Sequence, residues 1–327
     1  MSGFISDVLH FDAIKNTMNT SPAVGAPTLA VFTKNLLNPA YAAARMGADR
    51  VAARMGARPV HYVPARPDHV GQQQALVDKA IAARPDGCLF VATDADLMIP
   101  YVQRLNAARI PVFSFVNRLQ GGEWVSFAGS DDRALAVRIA NHLFTHLFTH
   151  LRGQGRVLVL AGTHGSISGR DRLTGFAEAF ARAPGITRVA DLPGEFLQDA
   201  AAREMTQFLK RGLAFDAVLA ANDAMALGVV EAMSAANRPR CPIVGVNAVP
   251  SAIDAIKAGT MLATASFDAM EMACLATEAA LRHLRGERVP REILLPVEIV
   301  DRANCAAWDR PFEARELPLW DEVVGTK

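Results

Sequence analysis

The chain lacks an excess of charge of either sign. Its 34 Lys and Arg stand against 33 Asp and Glu, a formal net charge of +1. That balance gives no electrostatic footprint for nucleic acid or an anionic membrane. Cysteine is scarce: Cys88, Cys241, Cys274 and Cys305 are far apart, and no Cys-x-x-Cys occurs. They read as buried free thiols, with Cys88 and Cys241 in or beside strands, and nothing requires a disulfide. No apolar run reaches membrane-spanning length. The opening MSGFISDVLHFDAIKNTMNTS lacks a basic start and an apolar core of about 7–15 residues, so it does not read as a signal peptide.

Nucleotide and catalytic motifs are missing too. The Gly-rich GTHGSISGR (162–170) has no GxxxxGK[ST] lysine, and its Ser168 sits at the wrong offset for a GxSxG elbow. It reads as a loop over a strand end. No GxGxxG follows the first strand, which disfavours a dinucleotide enzyme. The repeat HLFTHLFTH (142–150) sets His142, His146 and His150 at helical spacing without an HExxH glutamate. It reads as a duplicated helical turn with exposed histidines. Neither an enzyme, a metal nor a cofactor is indicated.

What remains is regular alternation. With 327 residues, 51% of them hydrophobic, the chain is long enough for two domains. Short Val/Leu-rich runs such as TLAVFT (28–33), DGCLFVAT (86–93), IPVFSFV (110–116), RVLVLAG (156–162) and PIVGVNA (242–248) alternate with Ala-rich helical patterns. EILLPVEIVD (292–301) reads as one last strand. This is βαβ repetition, hence parallel sheets with right-handed crossovers, and two sheets of about six strands fit better than one of twelve. VPSAIDAIKAG (249–259) reads as a short helix with Gly259 at C′.

AVLAANDAMALG (217–228) is the most informative stretch. An apolar strand ends in Asn222-Asp223 and flows into a helix, which puts a polar pair in the crevice where open α/β sheets bind ligands. FTKNLLNPAYAAARMGA, IPVFSFVNR, GRDRLTGFAEAF and IVGVNAVPSAIDAIKAGTMLATASF join it in order. Together, from residue 28 to about 305, these five segments resemble the type 1 periplasmic sugar-binding proteins, the ribose-binding-protein-like family of ABC importer solute-binding proteins. LacI-type repressors carry a related sensor core.

The resemblance implies an α/β fold of two doubly wound parallel-sheet lobes joined by a three-crossing hinge. It places crossings near Gly129-Ser130, Phe267 and Leu295-Pro296. One lobe is then 28–130 plus 268–295 and the other 131–267 plus 296–310, with 1–27 an N-terminal extension and linker and 311–327 a tail. The extension carries a short amphipathic helix pattern on Phe4, Val8, Leu9, Phe11, Ile14 and Met18, and Trp308, Phe312, Leu317, Leu319 and Trp320 are expected to pack along the body. Carried over by position, the ligand site comprises Asn38, Tyr41, Asn117, Arg118, Arg172, Phe196, Asn222, Asn247 and Phe267. Asn and Arg suit a polyhydroxylated ligand, and aromatic faces suit its C–H surface.

Departures from the family pattern bear on the ligand. Positions 117 and 247 usually hold Asp but hold Asn here. An aromatic is replaced by Ala40, an Asn near Ala92-Thr93 is missing, and Phe267 stands where ribose binders have Gln. The site has lost acceptor charge but keeps Arg118 and Arg172, with Lys34 as a third cation and Asp94 or Asp96 as a replacement acceptor. That favours another sugar or polyol, or an anionic sugar derivative, toward which Asn can donate. Arg170 is expected to face solvent or make an ion pair. The implied protein is a monomer that delivers a sugar or polyol to ABC permease membrane subunits and is periplasmic. The alternative, motivated by the opening residues, is a cytoplasmic or partner-coupled sensing module. A repressor is disfavoured, because about 27 residues before the first strand cannot hold a helix-turn-helix domain and a linker.

Overall fold

The computed structural model describes residues 25–325. The amphipathic helix expected in the first twenty residues lies outside them. The chain begins with β1 (Thr28–Phe32), α1 (Pro39–Met55), β2 (Arg58–Tyr62), α2 (Val70–Ala83), β3 (Gly87–Phe90), α3 (Ile99–Ala107), β4 (Val112–Phe115) and β5 (Ser126–Gly129). It continues through α4 (Asp132–His150), β6 (Gly155–Ala161), α5 (Ile167–Ala181), β7 (Ile186–Pro193), α6 (Gln198–Lys210), β8 (Ala217–Ala220), α7 (Asp223–Ala235), β9 (Ile243–Val246), α8 (Pro250–Lys257) and β10 (Ala263–Ala265). α9 (Ala269–Leu284), β11 (Glu292–Leu294), β12 (Ile299–Asp301) and α10 (Trp320–Val323) complete it.

The strands form two six-stranded sheets, in the orders β11-β5-β4-β3-β1-β2 and β12-β10-β9-β8-β6-β7. All pairings are parallel except β10 with β12. β1, β3, β4, β8 and β9 are almost wholly buried. Helices cover both faces of each sheet, so these strands need apolar side chains in both directions. Three crossings join the lobes: after β5, after β10, and between β11 and β12.

One expectation changes: EILLPVEIVD is not one strand. A further strand, β5, lies within GGEWVSFAGSDD. Pro296 offers no N–H to a ladder, and around it the chain leaves the first sheet as β11 and enters the second as β12.

Local chemistry fixes the helix starts that matter here. Asn38 caps α1 by accepting from Ala40 N at 3.0 Å, with Pro39 at the first helical position. Asn222 caps α7 by accepting from Met225 N at 2.9 Å. α8 ends at Lys257, and Gly259 follows with φ +70, as the sequence pattern implied. In the tail, Trp320 is buried and Trp308 and Phe312 pack on the core, whereas Leu319 is exposed.

Candidate ligand-binding cleft

The carboxyl ends of β1, β3 and β4 in one lobe face those of β6 to β10 in the other. Between them lies a small cavity of about 30 Å³, lined by Asn38, Tyr41, Arg172, Phe196, Asn222, Asn247 and Phe267, with Val116, Ser166 and Ser168. A hollow of about 400 Å³ shares Asn38, Phe196 and Asn247 with it and forms the cleft mouth. The largest hollow, about 700 Å³, lies elsewhere, at the amino ends of β4 and β5 beside Trp124 and Arg291. It is one-sided, belonging to a single lobe. The small cavity is the better ligand site because groups from both lobes converge on it.

Arg172 organises the floor. Only 3% exposed, it donates from Nε to Asp132 Oδ1 at 2.6 Å and from Nη1 to Ala221 O at 2.6 Å. Its guanidinium lies 4.6 Å from the centre of the Phe267 ring and 6.0 Å from that of Phe196. Its charge is thus matched inside the protein, and what it presents to the cavity is a planar cation held against two aromatic walls.

A relay runs from Asp132 across the cleft. Ser168 Oγ donates to Asp132 Oδ2 at 2.8 Å and accepts from Asn117 Nδ2 at 2.6 Å. A hydroxyl has one proton, so donation to the carboxylate fixes which end of the Asn117 amide faces Ser168. Asn117 Oδ1 is left buried with no partner, an acceptor waiting for a donor. Asn222 is more fully engaged: beyond its cap, its Nδ2 donates to Phe196 O at 3.0 Å. It holds the aromatic wall as much as it faces the cavity.

Lys34 is 2% exposed, and its Nζ donates to Ser166 Oγ at 3.3 Å across the cleft. Burial pushes its pKa down, while Asp68, Asp132 and Asp94 pull it back up. No carboxylate lies within ion-pair distance among the described residues, so this ammonium keeps donor capacity at the cleft. Burial also drives the Tyr41 phenol well above its usual value, keeping it neutral.

Backbone strain concentrates here. Val116 (φ 64), Phe196 (φ 59), Asn247 (φ 126) and Ala248 (φ 51) all have positive φ without being glycine. The turn at Val116 separates its neighbours: Asn117 is 1% exposed, whereas the Arg118 side chain is 40% exposed. Arg118 pairs with Glu292 of β11 and stacks on Phe127, 4.9 Å from the ring centre. Arg118, expected at the ligand, is not among the residues lining the cavity and braces the edge of the first sheet. Arg170 makes an ion pair with Asp96 at 3.6 Å, between the lobes.

The loop after β6 and the first turn of α5 make closing contacts between the lobes. Besides Ser166 and Ser168, Thr163 Oγ1 donates to Asp68 Oδ2 at 2.9 Å, and Gly165 O accepts from Ala95 N at 3.0 Å. The sequence pattern alone predicts only a loop over a strand end here. Its glycines carried the signal: a Cβ on Gly162 would meet the Phe196 ring at 2.1 Å. The duplicated histidines lie at the far end of α4, where His146 and His150 stack at 4.1 Å. Among the described residues, no group of three or more His, Cys, Asp or Glu converges to hold a metal ion.

Residues 29–288 match the periplasmic binding protein domain model. The chain belongs to the periplasmic binding protein family. A putative rhizopine-binding protein of Rhizobium meliloti is 30% identical over 249 residues, covering 72% of this chain and 78% of that protein. The ribose import binding protein of Salmonella typhimurium is 27% identical over 279 residues, covering 85% and 92%. Among solved structures, an ABC transporter solute-binding protein from Actinobacillus succinogenes with bound D-allose superposes with a TM-score of 0.77 at 25% identity, covering 86% of this binding protein and 99% of that one. One from Mycobacterium smegmatis with bound glycerol gives 0.80 at 25% identity, covering 86% and 96%. No helix of the described residues is long and apolar enough to cross a membrane.

Proposed function

We propose that this protein captures a sugar or sugar-like polyol between its two lobes and delivers it to an ABC importer. The observation that carries the reading is the convergence of Asn38, Arg172, Asn222 and Asn247 from both lobes beside Tyr41, Phe196 and Phe267, with Asn117 joined to the cavity wall through Ser168. Relatives named for ribose, xylitol and allose, and solved neighbours holding D-allose and glycerol, support it. A cavity of about 30 Å³ holds on the order of two waters, so a sugar enters only when the lobes part. The moving bodies are residues 28–130 with 268–295, and 131–267 with 296–310. Closure on the ligand then presents a shape that permease subunits in the membrane recognise. The protein acts as a monomer on the outer side of that membrane.

Thermal shift against D-ribose, D-allose, xylitol, myo-inositol, glycerol and sugar acids tests this. A ligand that binds only the folded state raises the melting point. A rise with one of the neutral compounds is the expected result, and no rise with any compound refutes the reading. A second reading, an anionic sugar derivative, is favoured by one observation: Lys34 is a buried cation whose hydrogen bond goes to a neutral hydroxyl. Under it only the acids shift the melting point, and Lys34→Met abolishes that shift.

A further inference from the structure

We infer that Arg315, in the C-terminal tail, is a positioning residue for the cleft, holding in place the two backbone segments that carry Asn247 and Phe267. The inference rests on the sugar-cleft reading for its consequence, though not for its geometry.

The tail lies beyond the family match, which ends at residue 288. It leaves the second lobe after β12 and is tied there by Lys257 Nζ to Asp309 Oδ2 at 2.7 Å. It then passes to the first lobe. Phe312 and Leu317 pack on the cluster of Ala43, Val51, Met270 and Cys274. Trp320 is buried, with the Arg282 guanidinium 4.9 Å from its ring centre. The tail is thus a fourth connection between the lobes.

Arg315 sits midway along it. Its side chain is 11% exposed, and Phe312 and Trp308 lie 4.7 and 5.7 Å from its guanidinium. Nη2 donates to Ala248 O at 3.0 Å, and Nη1 donates to Asp268 Oδ2 at 3.0 Å. Arg50 of α1 holds the Arg315 carbonyl at 2.8 Å. One guanidinium therefore grips the residue after Asn247 and the residue after Phe267, and both of those line the cavity.

The Ala248 contact matters because of the backbone there. Asn247 and Ala248 are consecutive non-glycine residues at φ 126 and 51. Such conformations persist only where the surroundings over-determine them. The turn is held by Asn247 N to Ala265 O at 2.9 Å, Ala248 N to Thr264 Oγ1 at 3.3 Å and Val249 N to Asp223 Oδ2 at 3.0 Å. Arg315 supplies the charged donor to the Ala248 carbonyl. Asp268 in turn caps α9 through Glu271 N at 3.0 Å, so its position sets where Phe267 hands over to the helix.

Hydrogen exchange of the full chain without sugar tests this, comparing wild type, Arg315→Met, Arg315→Lys and Lys257→Met. In Arg315→Met, amides of 247–249 and 269–271 exchange about tenfold faster or more, while β1, β3, β6 and β8 keep their protection. Arg315→Lys, which keeps one donor point, recovers part of that protection. Lys257→Met, which frees the tail's other anchor, leaves 247–249 unchanged. D-allose, D-ribose and myo-inositol serve as binding probes, and any that binds wild type binds Arg315→Met about tenfold more weakly. Unchanged exchange at 247–249, an equal rise across both sheets, or equal probe affinity overturns the inference. If no probe binds wild type, the sugar reading fails, and the exchange pattern still decides the role of Arg315.

Discussion

Arg172→Met tests the energetic role of the cleft floor. Arg172 and Asp132 are an ion pair whose side chains are 3% and 6% exposed. Removing the guanidinium leaves Asp132 with the Ser168 hydroxyl and strips Ala221 O of its donor. Breaking one side of a buried pair costs about 3–5 kcal/mol, because the remaining charge is uncompensated. The cation–π contact with Phe267 lies within that figure, since contributions sharing one group do not add. Neutralising both partners removes most of the penalty. The double variant Arg172→Met/Asp132→Asn keeps an acceptor for Ser168 and is predicted to recover about 2 kcal/mol relative to Arg172→Met. Urea unfolding followed by circular dichroism reads this as a lowered midpoint with an unchanged slope. An Arg172→Met protein within about 1 kcal/mol of wild type, or a double variant no more stable than the single, refutes the reasoning.

Two further predictions come from the second lobe. Burial pushes the Asp223 carboxyl from its ordinary 3.8 up to about 6, against hydrogen bonds from Thr264 and Val249. The folded value exceeds the unfolded one, so this contribution to stability is complete below about pH 4 and is lost as pH rises through about 6. Relative to Asp223→Asn, wild type should lose up to about 3 kcal/mol over that window, and a flat difference in urea midpoints contradicts this. Gly165 has φ +85, and a Cβ there would lie 2.1 Å from Asp94 Oδ2. Gly165→Val should hold the lobes apart and raise the radius of gyration in small-angle scattering, and an unchanged radius removes this loop from the closing contacts.

How much of this was legible depends on whether the determinant is local. TLAVF and AVLA are apolar on both faces because both faces of the sheet are covered, so a bare run reveals them. SFAG does not reveal itself. Its four residues become β5 by pairing with β4 and with β11, far along the chain. In EILLPVEIVD the apolar pattern runs through, Pro296 is the one local break, and the placement of two sheets turns that break into a crossing. At the cleft, the helix start at Asn222 was readable because a polar residue between an apolar strand and a helix has a fixed local pattern, whereas Asn38 came from the family resemblance. The direction of the Arg118 side chain was not readable, because φ 64 at Val116, a β-branched residue, has no local sequence signal. Ser168 and the orientation of Asn117 became visible only through partners 36 and 51 residues away.

The order of the three crossings also bears on how the chain acquires its shape during synthesis. Five of the six strands of the second sheet, β6 to β10, are contiguous in sequence and emerge together. The first sheet is interrupted: α9, which packs against α1, β3, β4 and β5, comes after all of them, and the edge strand β11 later still. Until residue 284 has left the ribosome the earliest-made lobe lacks its central helix, and until residue 294 it lacks one edge. Local closure is fast and distant closure slow, so the lobe translated second should gain protection first. The lobe translated first must wait with Ala43, Val51 and Phe113 uncovered. Pulse-labelled hydrogen exchange during refolding would show β8 and β9 protected before β4 and α1. The reverse order would mean that the N-terminal segment gathers its own core without α9.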